Sequence, residues 1–121
     1  MVSISVKEPL SYLALSNSIR GSVVTWAKTL ANDVADCNIT VNNILTGYFQ
    51  TERIEEINLE KAKKLDVPIN QIYESMKNQV PMKRIGQPEE FAYLASFLCS
   101  DKANYITGIN IPIDGGLIKS L

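Results

Sequence analysis

The chain has 121 residues, of which 45% are hydrophobic and 21% are charged. These values are ordinary for one globular domain with a buried core, and they give no indication of a disordered chain. The net charge is −1 and the basic residues are scattered, which excludes a typical nucleic-acid-binding surface. No apolar run approaches the roughly 18 residues of a membrane span and no export signal is recognisable, so we expect a cytoplasmic protein without a membrane partner.

The first predicted elements are a strand and a long helix. Val2–Val6 alternates apolar and polar side chains, as a half-buried strand does, and Pro9 ends the pattern. From Ser16 to about Asp36 the apolar residues recur at spacings of three and four, which predicts one amphipathic helix. Ser16 or Asn17 is placed to accept hydrogen bonds from its first free amides.

A second strand and two short helices are predicted next. Asn38 permits a turn, and Ile39–Leu45 is rich in β-branched residues and ends at Thr46-Gly47, which predicts a strand. Residues 52–80 carry many charges between regularly spaced apolar residues, and Pro68 interrupts them. Two short helices fit this pattern best.

The last predicted elements are a helix and a strand. Pro88 at a first helical position, followed by two glutamates in the positively polarised first turn, predicts a helix to about Ser100. Ile109–Ile113 alternates apolar residues with Asn110 and Pro112, which predicts a short strand. Because proline cannot donate a ladder hydrogen bond, we expect this strand at a sheet edge or paired on one side there.

The order of these elements, strand and helix in alternation, favours parallel pairing with right-handed connections. We therefore expect a single α/β domain over 1–121, with a partial doubly wound parallel sheet of about three strands and flanking helices. A parallel sheet normally has more strands than three, and its edges are covered. We therefore expect another part of the structure or a partner to cover an edge of this three-stranded sheet.

Histidine is absent, and the two cysteines, Cys37 and Cys99, lie far apart. This excludes Ser–His and Cys–His nucleophile pairs and indicates neither a metal site nor a disulfide framework. We expect two reduced, partly buried thiols. Any chemistry here would need Tyr, Lys, Ser, a carboxylate or a cofactor.

Three motifs near the end carry a family resemblance: residues 84–90 (RIGQPEE), residues 104–108 (NYITG) and residues 113–116 (IDGG). Together they resemble the closing segment of the short-chain dehydrogenase/reductase family, in particular its 3-oxoacyl-acyl-carrier-protein reductase-like members. Nearly the whole chain is similar to the C-terminal half of such a protein. The resemblance implies a Rossmann-like sheet, NAD or NADP as cofactor, carbonyl reduction of a 3-oxoacyl-type substrate, a homo-oligomer, and a lid-like helical segment at about 52–80.

The family uses a tyrosine as general acid and base, a lysine four residues later, and a serine near the substrate carbonyl. The lysine charge lowers the tyrosine pKa, so the spacing matters. Here the aligned stretch has Leu13 for the tyrosine and Asn17 for the lysine. Tyr12, one residue out of register, is the candidate proton donor. Ser3 and Ser5 both lie on the strand that carries the family serine, and Ser5 is preferred.

The stretch from Thr46 to Thr51 resembles the family's Pro-Gly-x-x-x-Thr turn, which holds the nicotinamide end of the cofactor. The candidate cofactor-binding residues are Asn17, Gly47, Phe49 and Thr51. Thr51 is alternatively a helix cap before Glu52. Arg20, one turn beyond Asn17, either supplies a positive charge near a cofactor ribose or is a surface arginine.

A second Tyr–Lys spacing occurs at Tyr73 and Lys77, but there an i,i+4 pair on a charged helix needs no catalytic explanation. No glycine-rich turn for the pyrophosphate is present in the sequence. We therefore expect most of the NAD(P)-binding surface to be missing and the chain to be truncated and inactive alone. Three alternatives stay open: a separate chain that supplies the missing N-terminal half, a noncatalytic oligomerising scaffold, and a longer protein in which Met1 is internal.

Overall fold

A computed structural model describes residues 1–11 and 13–120 of the chain. These residues form three strands and four α-helices, and three short 3-10 helices lie between them. The strands are β1 (Val2–Ser3), β2 (Asn43–Thr46) and β3 (Asn110–Ile113), and the α-helices are α1 (Ala14–Asp33), α2 (Glu52–Leu65), α3 (Ile69–Gln79) and α4 (Pro88–Leu98).

The three strands form one parallel sheet in the order β1-β2-β3. Ser3 pairs with Thr46, and Thr46 pairs with Ile113, so the carboxyl ends of all three strands meet at one edge. The predicted fold class, a partial Rossmann-like parallel sheet with flanking helices, is confirmed. The segments that follow the strands therefore start close together.

The first strand is shorter than predicted. β1 ends at Ser3, and Ile4–Val6 forms a 3-10 helix instead of continuing the strand. The cause is local, because the Ser3 hydroxyl accepts a hydrogen bond from the Ser5 amide (3.2 Å) and turns the chain. The alternation of residues 4–6 is therefore not a strand pattern.

The long helix is confirmed, but its predicted cap is wrong. α1 begins at Ala14 after an N-cap at Leu13, which makes no side-chain cap hydrogen bond. Ser16 and Asn17 lie inside the first turn. A separate 3-10 turn at Ala35–Cys37 follows the helix, and Asn38 then adopts the left-handed conformation (φ 59°). The turn predicted at Asn38 is thus present.

The second strand begins four residues later than predicted. Residues 39–42 do not pair as a strand, and they contact the segment before β3 instead. The Val41 amide donates to the Thr107 hydroxyl (3.1 Å), and the Asn42 amide side chain donates to the Ile106 carbonyl (2.7 Å). Together with one backbone hydrogen bond, from the Gly108 amide to the Val41 carbonyl (2.8 Å), these side-chain hydrogen bonds take the place of a regular ladder that would have extended β2.

The two helices predicted in 52–80 are α2 and α3, on either side of Pro68. They pack through a buried contact that includes Ile72 and Met76. The helix predicted from Pro88 is α4, and the Glu90 side chain accepts a hydrogen bond from the Gln87 amide (2.8 Å), as in a capping box.

The central cluster of the core joins both ends of the chain. Val2, Ile4 and Leu45 are its buried members, and Leu117 and Ile118 from the C-terminal segment pack against it. β1 and β3 each pair on one side only among the described strands, so Pro112 lies on an edge strand as expected. None of the described helices has the length and apolar character needed to cross a membrane.

Candidate functional site

The loops after β2 and β3 are in direct contact at the carboxyl edge of the sheet. The Gly47 amide donates to the Ile113 carbonyl (3.0 Å). A Cβ atom built on Gly47 would lie 2.6 Å from the Asp114 Cβ and 2.7 Å from its Cα. Only a glycine therefore permits this contact, and Asp114, rather than a ligand, is what approaches Gly47.

A cavity of about 520 Å³ opens beside this contact. Gly47, Phe49 and Thr51, three of the four candidate cofactor-binding residues, line it. Arg20 from α1 and Arg53 from α2 line it as well. Two arginines, of which Arg53 also pairs with Glu56 (3.1 Å), a threonine and an aromatic residue thus line one space, and side chains of these types can bind an anionic ligand with a planar ring.

Thr51 is the N-cap of α2. Its hydroxyl oxygen accepts a hydrogen bond from the Ile54 amide (3.3 Å), so the capping alternative is confirmed. The hydroxyl proton remains available to donate to a ligand, because a hydroxyl both accepts and donates. The amides of the first turn of α2 also add positive potential at this point.

Phe49 forms a fixed wall of the cavity. Its ring meets Phe91 edge to face, with 6.3 Å between the ring centroids. Gly86 lies against the Phe49 ring, and its amide donates to the Tyr48 carbonyl (3.0 Å) while its carbonyl accepts from the Gln50 amide (2.8 Å). The RIGQPEE motif therefore holds the loop that follows β2 in place.

Ser16 and Arg20 form a pair on the same face of α1. Arg20 Nε donates to Ser16 Oγ (3.1 Å). Both residues line a shallow space beside β1, and Arg20 also reaches the cavity of Gly47 and Thr51. The pair has the i,i+4 spacing at which side chains on a helix meet.

The structure does not bring Leu13 and Asn17 to this cavity. Asn17 Nδ2 donates to the Leu10 carbonyl (2.9 Å), which ties α1 to the preceding segment. Leu13 is the N-cap of the helix and is exposed. Tyr12, the candidate proton donor, lies outside the described residues.

The two candidate serines differ in their surroundings. Ser5 is 3% exposed and lies in the 3-10 helix that directly follows β1, so its side chain is almost inaccessible from the edge of the sheet. Ser3 ends β1 beside Thr46, whose hydroxyl donates to the Val2 carbonyl (2.9 Å). The geometry favours Ser3 over the preferred Ser5 for any role at the edge of the sheet.

The second Tyr–Lys spacing is used for other contacts. Lys77 pairs with Glu74 at 2.7 Å, and the Tyr73 hydroxyl accepts a hydrogen bond from the Gln50 side chain (3.4 Å). In the part of the chain that the structure describes, no cluster of three or more His, Cys, Asp or Glu side chains could hold a metal ion.

The strongest electrostatic perturbation lies in a neighbouring cavity of about 230 Å³. There the Arg84 guanidinium, in a two-pronged ion pair, lowers the pKa of Glu90 to about 2. Burial raises the pKa of Tyr48 on the same wall. The Tyr48 hydroxyl donates to the Gln79 side chain (3.2 Å).

Comparison with known proteins identifies the framework. A family model described as Enoyl-(Acyl carrier protein) reductase matches residues 1–118. The chain belongs to the short-chain dehydrogenase/reductase family. It is 35% identical to the NADPH-dependent reductase BacG of Bacillus subtilis over 95% of this chain and 44% of that protein. It is 37% identical to the 3-oxoacyl-[acyl-carrier-protein] reductase FabG of Thermotoga maritima over 89% of this chain and 38% of that protein.

A solved relative has the same fold. The L-sorbose reductase of Gluconobacter frateurii, complexed with NADPH and L-sorbose, superposes with a TM-score of 0.93 at 33% identity. The alignment covers 99% of this chain and 46% of the reductase. The chain thus spans less than half the length of these relatives, and it corresponds to the C-terminal part of the short-chain dehydrogenase/reductase framework.

Sequence reasoning missed the Ser16–Arg20 pair. The sequence pattern predicts a helix cap at Ser16 and gives Arg20 no partner. The usable signal was a hydroxyl and a cation four residues apart, which is also the Tyr–Lys spacing of the short-chain dehydrogenase/reductase family. That spacing alone did not distinguish positions 16 and 20 from positions 13 and 17, because the choice depends on which face of α1 lies over the carboxyl edge.

Proposed function

We propose that this chain supplies the nicotinamide half of the site of an NAD(P)-dependent carbonyl reductase. One observation carries the proposal: Arg20, Gly47, Phe49 and Thr51 line a single cavity at the carboxyl edge of a parallel sheet. In open α/β sheets this edge is where ligands bind. Two of the relatives are named as a 3-oxoacyl-[acyl-carrier-protein] reductase and an L-sorbose reductase, and the substrate class proposed here is a 3-oxoacyl-type carbonyl.

The residues of the cavity fit a nicotinamide nucleotide. Arg20 would contact the ribose or the phosphate, the Thr51 hydroxyl would donate to a phosphate or carboxamide oxygen, and Phe49 would bound the ring. When bound, the cofactor would supply the hydride for carbonyl reduction. The protein's part is to orient the nucleotide and exclude water from one side of it. Both NAD and NADP stay candidates, because their adenosine ends would lie outside this cavity.

We further propose that Ser16 and Arg20, rather than Leu13 and Asn17, take the places of the family's tyrosine and lysine. The guanidinium retains the positive charge. A serine hydroxyl, however, has no ionisable phenol whose pKa a neighbouring cation could bring toward neutrality. The pair can thus hold a cofactor but is a poor proton donor, and the chain alone should not turn over.

Nucleotide binding tests the site directly. Nicotinamide mononucleotide is a suitable probe, because it carries the ring, ribose and phosphate without the adenosine half. Isothermal titration should show that Arg20→Ala weakens binding about tenfold, the loss expected for about 1.5 kcal/mol from one charge-assisted contact. Lys61→Ala, which removes an exposed cation of α2 that does not line the cavity, is the control and should leave the affinity unchanged. Equal losses in both variants, or none in Arg20→Ala, would refute the assignment.

Turnover tests the proposed inactivity. The purified chain, NADPH and a short 3-oxoacyl thioester should give no cofactor oxidation above a control without protein. Steady oxidation would overturn this part of the proposal. If oxidation occurs and Tyr12→Phe abolishes it, then Tyr12 is the proton donor.

A homo-oligomer is the proposed state of assembly, and it rests on an apolar stripe along α1. Leu15, Ile19, Val23 and Trp26 are 75%, 55%, 41% and 62% exposed and recur at helical spacing. Such a stripe on a soluble helix marks an interaction surface. Sedimentation at micromolar concentration should show a dimer or larger species, and Ile19→Lys should dissociate it. A monomeric parent chain would reject both this state and the scaffold alternative.

A separate chain that supplies the N-terminal half is the second proposal for a partner. It is motivated by β1, which pairs only with β2 among the described strands. The separately expressed N-terminal half of a relative such as FabG should form a complex with this chain and strengthen NADPH binding. If mixing produces neither effect, the two-chain proposal fails.

The cytoplasm is the proposed location. Cys37 and Cys99 are both exposed, rather than partly buried as predicted, and they form no disulfide. Exposed unpaired thiols fit a reducing compartment. Fractionation of the source cells with an antibody against this chain should recover it with cytoplasmic markers, and recovery with a secreted fraction would contradict the proposal.

A further inference from the structure

The C-terminal segment 114–120, here called the C-terminal strap, is held by two carboxylates. Asp114 accepts hydrogen bonds from the Gly116 amide through Oδ1 and from the Ile118 amide through Oδ2, both at 2.9 Å. At the other end, Glu8 Oε1 accepts from the Lys119 amide (2.6 Å) and the Ser120 amide (2.8 Å). Four backbone amides of the strap thus donate hydrogen bonds to carboxylate oxygens.

The middle of the strap is packed. Leu117 and Ile118 contact the buried cluster of Val2, Ile4 and Leu45. This contact places the strap against β1, the 3-10 helix that follows it, and β2. The strap is therefore part of the core and not a loose terminal tail.

The strap contacts three separate segments of the chain: the loop after β2, the segment after α3 and the segment before α1. At its first residue, Asp114 lies against Gly47 in the loop after β2. Gly115 lies against Val80 and Met82, just after α3, and the Met82 amide donates to the Gly115 carbonyl (3.2 Å). The opposite end of the strap reaches Glu8.

Glu8 belongs to the segment that leads into α1. Within this segment, Leu10 accepts the hydrogen bond from the Asn17 side chain, which lies in the first turn of α1 beside Ser16. A continuous chain of contacts therefore runs from Gly47 through the strap and Glu8 to the turn that carries Ser16. We therefore expect that a change that removes the hydrogen bonds of Glu8 also loosens the first turn of α1.

We propose that the C-terminal strap is a clamp, and that Glu8 is the positioning residue that closes it over residues 7–11. Closure fixes the start of α1 relative to the sheet, and so fixes Ser16 and Arg20 relative to Gly47. The clamp stands on the described contacts alone. Only its consequence for a bound nucleotide rests on the proposed function.

Hydrogen exchange of the ligand-free chain tests the clamp. Glu8→Ala should speed exchange about tenfold or more at the amides of Lys119 and Ser120, since each loses a hydrogen bond to a charged acceptor. The same variant should speed exchange at Asn17, whose amide closes the first turn of α1 onto the Leu13 carbonyl (2.8 Å). Glu8→Gln keeps an acceptor oxygen and should restore most of the protection at all three positions.

Glu60→Gln is the matched control, because Glu60 is an exposed glutamate of α2. It should leave exchange unchanged throughout the strap and at Asn17. Faster exchange confined to Lys119 and Ser120 would reduce Glu8 to a local cap and overturn the clamp, as would unchanged exchange at all three amides. Because no nucleotide is present, these results do not depend on whether the cavity binds a cofactor.

Discussion

Replacing Gly47 with alanine separates two explanations of this glycine. If its role is close approach to a cofactor, Gly47→Ala should weaken nucleotide binding and leave folding intact. The structure indicates another cause, because the new Cβ would lie 2.6 Å from the Asp114 Cβ and 2.7 Å from its Cα. These atoms belong to the backbone and the stiff base of a side chain, so the two loops must separate.

The expected cost follows from this overlap. Forcing one extra carbon into a packed site costs about 1–3 kcal/mol. The reduced freedom of alanine in the unfolded chain offsets about 0.5 kcal/mol of that cost. A net loss of about 1.5 kcal/mol, at a urea m-value of about 1.5 kcal/mol/M, lowers the unfolding midpoint by about 1 M.

Urea unfolding followed by far-UV circular dichroism measures this shift. Gly21→Ala is the matched control, because Gly21 is in the middle of α1 and a Cβ there meets no atom within 4 Å. That change should raise stability by about 0.5–1 kcal/mol through helix propensity. An unchanged midpoint for Gly47→Ala, with weaker binding of nicotinamide mononucleotide, would refute the reasoning.

Two further substitutions test the core and the ion pair. Leu45 is 0% exposed, so Leu45→Ala should cost about 2–5 kcal/mol in urea unfolding, whereas the partly exposed Leu59→Ala should cost much less; equal costs would contradict the described core. The folded-state pKa of Glu90 is about 2, below its ordinary value of 4.5, because Arg84 and the Gln87 amide stabilise the carboxylate. Its contribution to stability is therefore present above about pH 4.5 and lost as the pH falls toward 2. Glu90→Gln should flatten the acid dependence of stability across this range, and an unchanged pH profile would contradict the pair.

Helices with strong local signals could be predicted from the sequence. Pro88 and Glu90, both in the first turn of α4, mark its start in the sequence. Pro68 likewise marks the break between α2 and α3, and neither prediction needs tertiary information. These signals act through backbone geometry and nearby hydrogen bonds, so distant contacts change them little. The parallel order of the strands followed in turn from the alternation of strands and helices.

The strand ends and the register of the site depend on tertiary contacts. Ser3 turns the chain with its own hydroxyl, which an alternating pattern does not reveal. Asn42 donates to the Ile106 carbonyl and Thr107 accepts from the Val41 amide, and these contacts between segments far apart in sequence accompany the shorter β2. The face of α1 that lies over the sheet decides whether Arg20 or Asn17 lines the cavity, and helical periodicity alone did not fix that choice.

The candidate cofactor loop, residues 46–51, was predicted in part and missed in part. The residue types and spacing that residues 46–51 share with the family's turn were enough to predict Gly47, Phe49 and Thr51 as one candidate site. They were not enough to explain Gly47, because its neighbour Asp114 comes from the opposite end of the sequence. Long-range packing of this kind becomes visible only in the folded chain.

The central claim is that the cavity between α1 and the loop after β2 receives a nicotinamide nucleotide. Amide chemical shifts of the 15N-labelled chain, titrated with nicotinamide mononucleotide, test it most directly. We expect saturable shifts at Arg20, Gly47 and Thr51, with those at Gly47 and Thr51 reduced in Arg20→Ala. Shifts confined to residues 82–90 around the neighbouring cavity, or no saturable shift at these three amides, would contradict the account.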